Sequence, residues 1–253
     1  GIPDFRSVDG LYHQKFDYPP ETILSHSFFY SHTEEFYRFY REKMLPLEAK
    51  PNAAHISIAE FKKKWRNKAD IIHITQNIDT LCEEAGDAGV FHLHGSFLTS
   101  RCTECGATFP RMGLYKEGNV CPACKASGWS VRTDVVLFGE QPHGLDWIPG
   151  VLRRADAFLA VGTSGMVYPA AGFVTEARRR NCRTRILIAK DAPLDGFQPL
   201  STDNDSVGHF TKFVRGNATT VLPAVLETLG NWIERVTEKT ETEQPQTTLD
   251  NDE

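Results

Sequence analysis

The stretch ADAFLAVGTSGMVYPAAGFVTEARRR (155–180) decides the fold class. Its apolar run at 157–161 has the length of a buried strand. The run stops at Gly162-Thr163-Ser164, and a helical pattern follows through the three arginines. A strand, a glycine-containing turn and a helix make half of a βαβ unit. The next apolar run, RTRILIAKDAP (183–193), supplies the strand that the helix returns to. The same grammar holds elsewhere. ADIIHITQNID (69–79), VFHLHGSF (90–97) and TDVVLFGE (133–140) read as strands, and ATTVLPAVLETLGNWIERV (218–236) reads as a closing helix. Strands alternating with helices predict an α/β fold with a parallel sheet. Residues 1–20 read as loop and 21–66 as helices. TEEFYRFYREKML spaces Phe36, Phe39, Tyr40 and Met44 for one helix face, and a helix opening at Pro51 aligns Ala54, Ile58 and Phe61.

Composition limits what the chain can be. Of 253 residues, 40% are apolar and 24% charged, an ordinary globular balance for one large domain or one domain with an insert. No apolar run approaches the roughly 20 residues that span a bilayer, so no membrane partner is expected. The net charge of −5 is matched by residues 237–253, where six acids face one lysine. That segment is expected to be a disordered acidic tail. The remaining body is close to neutral, which offers no case for direct nucleic-acid binding. The expected context is intracellular, in the cytoplasm, and the expected state a monomer.

Four of the six cysteines form two pairs, Cys102 with Cys105 and Cys121 with Cys124, separated by fifteen residues. Each CxxC turn aims two thiolates at one point, and two turns complete the tetrahedron that zinc prefers. The segment between them is rich in glycine and poor in apolar mass, so it needs such a staple. Cys82 and Cys182 read as ordinary buried thiols.

Ligands of open parallel sheets bind beyond the carboxyl ends of strands, and polar or glycine-rich motifs stand at several strand ends. Gly162, Thr163 and Ser164 can receive an anion or a ribose, although Gly-Thr-Ser also serves as a plain turn. Gln76, Asn77 and Asp79 offer amides and a carboxylate to sugar hydroxyls, while Asp79 can equally cap the following helix. His92 and His94 alternate along a strand before Gly95. Either could be structural, and one at a strand end could act as a base near neutral pH.

Together, GIPDFRS, TQNID, the His-Gly after a strand, the CxxC pairs, FGE and GTS…VYPAA resemble the sirtuins, NAD-dependent protein lysine deacylases, in order and spacing from Gly1 to about Glu227. The resemblance implies a Rossmann-like sheet (1–20, 67–98 and 133–236) with a helical module (21–66) and a zinc ribbon (99–132) inserted. NAD is the implied co-substrate, one structural zinc ion the implied metal, and an acylated-lysine protein or peptide the implied partner. By resemblance, His94 is the base that activates a ribose hydroxyl, and Asn77 orients the ribose and a water. Gln76, Ile78 and Asp79 border the cofactor. Asp4, Phe5 and Arg6 belong to the cofactor loop, with Arg6 a catalytic helper. Gly162, Thr163, Ser164 and Ala218 face the adenosine. Val135, Val136, Phe138, Gly139 and Glu140 form the edge on which the peptide lies as an added strand. The implied products are lysine, nicotinamide and O-acyl-ADP-ribose.

Three departures from the family pattern carry expectations. The family places a strand and a GAG-x-S turn ahead of GIPDFRS, so these residues alone are expected to lack full activity. Members that remove succinyl groups carry Tyr-x-x-Arg near the acyl group. Here Tyr37 is followed at that spacing by Tyr40, and Arg41 lies about 100° further round a helix. Leu24 also stands where those members have a small residue. Tyr37 and Tyr40 are thus read as substrate-side residues favouring uncharged acyl groups, or as helix packing. Finally, no Asn stands at Ile188 or Ala189 to hold a ribose, which implies either weaker NAD affinity or another residue in its place. The competing functions are NAD hydrolysis or ADP-ribosyl transfer from the same cleft, and a non-catalytic acyl-peptide binding module.

Overall fold

The computed structural model describes residues 18–41, 49–113, 115–163, 169–190 and 209–242. The chain divides into two compact units. The first contains residues 1–50, 74–84 and 90–148, and the second contains 51–73, 85–89 and 149–253.

The first unit begins with three short helices, α1 (Pro20–Ile23), α2 (His26–Ser31) and α3 (Thr33–Phe39). Pro20 opens α1 with its φ already set for a helix, and the Ser25 hydroxyl caps α2 by accepting from the Phe28 N–H. Their aromatic side chains form the core of the unit with Phe97, Tyr115, Val131, Val135 and Leu137. Phe36 stacks on Tyr40 at 5.4 Å, and Tyr37 on Trp129 at 4.7 Å. Each such ring removed from water contributes on the order of 2–3 kcal/mol. Two sheets complete the unit. β1 (Ile74–Thr75) runs parallel to β2 (Phe91–His92), with the four-residue helix α5 (Leu81–Glu84) between them in sequence. β3 (Gly95–Cys102) is the centre of an antiparallel sheet, flanked by β4 (Thr108–Pro110) and β5 (Val131–Val135).

In the second unit, α4 (Ala53–Trp65) is capped by Asn52, whose side chain accepts from the N–H groups of Ala54 and His55. The short α6 (Ile148–Leu152) leads to β6 (Ala157–Val161). α7 (Phe173–Arg179), preceded by one 3-10 turn (Ala170–Gly172), connects β6 to β7 (Thr184–Ala189). β8 (Lys212–Arg215) and α8 (Ala218–Thr242) follow. β6, β7 and β8 form a parallel sheet in that order. Its side chains alternate faces as the pleat requires. Leu159, Val161, Ile186, Ile188 and Val214 pack with α4 and α8, and Phe158, Ala160, Leu187, Ala189 and Phe213 pack with Val174 of α7. Helices on both faces explain why these strands read as continuous apolar runs.

Several elements differ from expectation. The helices read as one module over 21–66 are divided, because α4 buries Ala54, Phe61 and Trp65 against Leu222, Leu226 and Ile233 of α8. Among the described residues, the strand expected over 69–79 has ladder partners at Ile74 and Thr75 alone. The strand expected over 90–97 is broken by a turn at Leu93-His94, where Gly95 takes φ +78°. β3 and β5 run unbroken through residues 99 and 132, so the ribbon shares strands with its surroundings. β8 was not expected, since its KFVR carries a charge at each end. α8 continues to Thr242, so the segment read as tail from 237 is helical over its first six residues. The rest of that tail, residues 243–253, lies outside the described residues.

Candidate active site and metal centre

The metal centre grows from two matching turns. After Cys102 and Cys105 the chain bends at Gly106 (φ +72°), and after Cys121 and Cys124 it bends at Lys125 (φ +65°). In each turn the N–H after the second cysteine reaches back to the first cysteine's carbonyl, from Gly106 to Cys102 and from Lys125 to Cys121, at 3.0 Å. The four Sγ atoms lie within 4.8 Å of one another, two buried and two exposed. Backbone N–H groups of Cys124 and Ala123 push the Cys121 thiol down to about 6. Four thiols that can converge as thiolates fit one tetrahedral zinc ion. They are the one cluster of metal-ligating groups found among the described residues. The site is structural in character, because all four positions are protein sulfur.

The second site forms where β1 ends. His94 stands in the turn between β2 and β3, and its Nδ1 lies 3.0 Å from the Gln76 carbonyl. A carbonyl only accepts, so Nδ1 carries the proton and the neutral ring keeps its lone pair at Nε2. Burial lowers the His94 pKa below its ordinary value; the Gln76 carbonyl works against that, and His143 adds to it. The ring is therefore held as a free base near neutral pH. Asn77 is fixed from both sides of its backbone: its N–H donates to Thr75 Oγ1, and its carbonyl accepts from His92 Nδ1 at 2.8 Å. His92 is tied in turn to Glu83 through Nε2. The Asn77 side chain is exposed and makes no hydrogen bond among the described residues.

The other predicted residues have varied placements. Asp79 accepts from the Leu81 N–H, so it caps the start of α5. Ile78 packs on the core of the first unit. Gly162 closes β6 at φ +64° with open space around it, and its N–H bonds Ile188 O at 2.8 Å. Thr163 follows, and Ala218 opens α8. Ile188 is fully buried among α4 and α8 side chains, so it could not serve a ribose in any case. Asp4, Phe5, Arg6 and Ser164 lie outside the described residues. Tyr37 and Tyr40 are core residues, and the Tyr37 hydroxyl donates to Val131 O at 2.7 Å. Arg41 donates to Tyr115 O at 3.1 Å.

Along the predicted peptide edge, Val135 is paired with Gly95, and the Val136 N–H is used by His94 O. Both backbone groups of Phe138 are engaged by the linker between α1 and α2, through Leu24 O and the His26 N–H. Glu140 bonds buried Arg132 and the Leu137 N–H, which curls the loop and leaves Gly139 at φ +92°. The Glu140 N–H also donates to Leu137 O at 2.9 Å, so it too is spent within the loop, and the half-exposed Phe138 ring marks this edge. Sequence reading missed Arg132. Its signal was a lone arginine between Val131 and Thr133 in a short strand. It also missed His143, which carries no local signal in a Pro-His-Gly loop.

These features define a class: a Rossmann-like α/β fold with an inserted four-cysteine zinc ribbon. The model of the Sir2 family matches residues 1–169, and the chain belongs to that family. It is 42% identical to an NAD-dependent protein deacetylase of Clostridium acetobutylicum, over 82% of this chain and 84% of the relative. It is 34% identical to an NAD-dependent protein deacylase of Escherichia coli K12, over 90% of this chain and 77% of the relative. Among solved structures it resembles a Sir2 homologue mutant with ADP-ribose (TM-score 0.73, 31% identity, 92% of this chain and 87% of that one). It also resembles a Sir2 homologue bound to NAD (TM-score 0.70, 29% identity, 92% of this chain and 84% of that one).

Proposed function

We propose that the chain is an NAD-dependent protein lysine deacylase in which His94 is the general base. The observation that carries this is the hydrogen bond from His94 Nδ1 to the Gln76 carbonyl, which leaves Nε2 unprotonated at a strand end beside Asn77. The dinucleotide supplies a departing nicotinamide and an electrophilic ribose carbon. The chain's part is to hold the ribose and to take one proton. Asn77, with its backbone locked, offers an amide to a sugar hydroxyl or a water. His94 Nε2 accepts the hydroxyl proton as the acyl group passes to that oxygen. A base held below its ordinary pKa by burial stays ready at neutral pH. Gly162 and Thr163 are assigned to the adenosine side. The relatives named as deacetylase and deacylase, and a solved Sir2 complex with NAD+ and a p53 peptide, support an acyl-lysine peptide as substrate.

Uncharged acyl groups are the favoured substrates. Arg41 turns one N–H to the Tyr115 carbonyl and the Tyr37 hydroxyl donates to Val131 O, so donors that a carboxylate would use are spent within the protein. A four-thiol metal site requires reduced cysteines, which supports action in the cytoplasm. No helix among the described residues is long and apolar enough to cross a membrane. The test is incubation with NAD and acetyl- or succinyl-lysine peptides, with products read by mass spectrometry. O-acetyl-ADP-ribose that disappears in His94→Ala is expected, with the acetyl peptide preferred over the succinyl peptide. Free ADP-ribose with the peptide untouched would show a hydrolase instead.

A further inference from the structure

We propose that His92 is a positioning residue on the NAD side of the site: its ring, braced by Glu83, pins the carbonyl of Asn77 and so fixes the backbone from which the Asn77 amide projects. The proposal rests on the reading of Asn77 as the residue that orients the ribose. Thr75 of β1 is paired with His92 of β2, and the chain leaves β1 through Gln76 and Asn77. Two histidines, alternating along the facing segment, each hold one carbonyl of that exit. His94 Nδ1 donates to Gln76 O at 3.0 Å, and His92 Nδ1 donates to Asn77 O at 2.8 Å. Both assignments follow because a carbonyl only accepts.

The second ring nitrogens divide the work. His94 keeps its Nε2 lone pair for chemistry. His92 Nε2 lies 2.8 Å from Glu83 Oε1, so one proton is held between them and the ring has no lone pair to offer a substrate. His92 is thereby anchored at both ends, to α5 through Glu83 and to the end of β1 through Asn77. The pair is largely shielded from water, with side-chain exposures of 11% for His92 and 25% for Glu83. The other Glu83 carboxyl oxygen is buried and has no hydrogen-bond partner, so His92 is what holds this side chain in place. The bond from the Asn77 N–H to Thr75 Oγ1 is local to the turn, whereas the bond from His92 crosses from β2. It is the side-chain contact that ties exposed Asn77 to the rest of the unit.

Amide side chains separate the two ring nitrogens. In His92→Asn the amide nitrogen falls near the place of Nδ1, which keeps the bond to Asn77 O and loses Glu83. In His92→Gln it falls near the place of Nε2, which keeps Glu83 and loses Asn77 O. The full chain and both variants are assayed with NAD and an acetyl-lysine peptide, and NAD affinity and melting temperature are read by calorimetry. His92→Asn should stay near wild type in kcat/KM for NAD. His92→Gln should lose about three- to tenfold, the worth of one hydrogen bond, with KM for the peptide unchanged. NAD affinities should fall in the same order. A merely structural role would rank the variants by melting temperature and move both KM values together. Equal losses in the two variants, or the larger loss in His92→Asn, overturn the proposal. Should His92→Gln fail to fold, Glu83→Ala decides: freeing the ring should lower kcat/KM for NAD alone, and unchanged NAD kinetics overturn the proposal. Wild type that binds NAD without turnover would sink the deacylase reading, and the order of NAD affinities would then decide this one. Turnover that survives Asn77→Ala would remove the ribose assignment, and this proposal with it.

Discussion

Gly95→Ala should loosen the turn that presents the base. A Cβ at this position would lie 1.7 Å from the Asp134 carbonyl oxygen and 2.7 Å from its carbon, so backbone must move. Carbon and oxygen do not approach much closer than about 3.3 Å even in weak C–H···O contacts. β3 and β5 would have to part by roughly 1.5 Å beside the His94–Val136 bond. The left-handed φ of +78° costs a side chain about 1–2 kcal/mol. Losing one or two net backbone hydrogen bonds adds about 1–2 kcal/mol more. A total near 3 kcal/mol corresponds to a melting temperature lower by about 6–12 °C in a protein of this size. Gly118→Ala is the internal control. Its φ is +86°, yet nothing lies within 4 Å of the added Cβ, so only the conformational cost of about 1–2 kcal/mol should appear. Calorimetry on the three proteins, with deacylation rates beside it, checks the difference. Equal destabilisation by the two substitutions would refute the steric argument.

Three further outcomes are expected. Chelation of zinc, or Cys121→Ser, should expose the reactive thiols of the ribbon and lower the melting temperature; thiol titration before and after chelator counts them. Lys125→Gly should stabilise the protein by up to about 1 kcal/mol, because Lys125 holds φ +65° in the second metal turn, and urea unfolding would read it. Stability should fall on acidification in two stages. Burial holds His73 below its ordinary 6.5, so the unfolded chain takes that proton first, and stability declines as pH drops through 6.5 toward the folded value. For Asp87, burial alone would raise the carboxyl, but hydrogen bonds from Lys62 and His73 win and hold it below 3.8, so its contribution is lost as pH falls through that lower value. Urea midpoints between pH 4 and 8 should show a smaller first stage in His73→Gln than in wild type, because His94, also held low by burial, still contributes to it.

The legible parts of this protein were those written in short spacings. Alternating apolar runs with glycine breaks announce parallel strands and helices. Two CxxC turns place four sulfurs within reach of one ion, because each turn closes on itself through its own backbone bonds. His94 and Asn77 were legible as candidates because they are polar residues that follow short apolar runs, and ligands of open sheets bind beyond strand ends. Asp79 was readable in both its senses, and the cap is the one seen. The exposed amphipathic helices were less legible. α4 looked like a neighbour of α1–α3 by sequence distance, yet its apolar face suits α8, more than 150 residues away. An apolar stripe states that a helix needs a partner and does not say which.

The sequence by itself determined the fold class, the family, the metal ligands and the candidate base, since each depends on residue types a few positions apart. Tertiary structure decided the rest. Tyr37 and Tyr40 became core rings because Phe97 of β3, and Tyr115 and Trp129 of the segment between β4 and β5, arrive from far along the chain to cover them. Glu140 became the partner of Arg132 because the chain curls back after β5. The His143 N–H reaches Leu93 O only because two separate segments of the chain meet there. Such contacts depend on which surfaces pack together, and local periodicity holds no record of that choice.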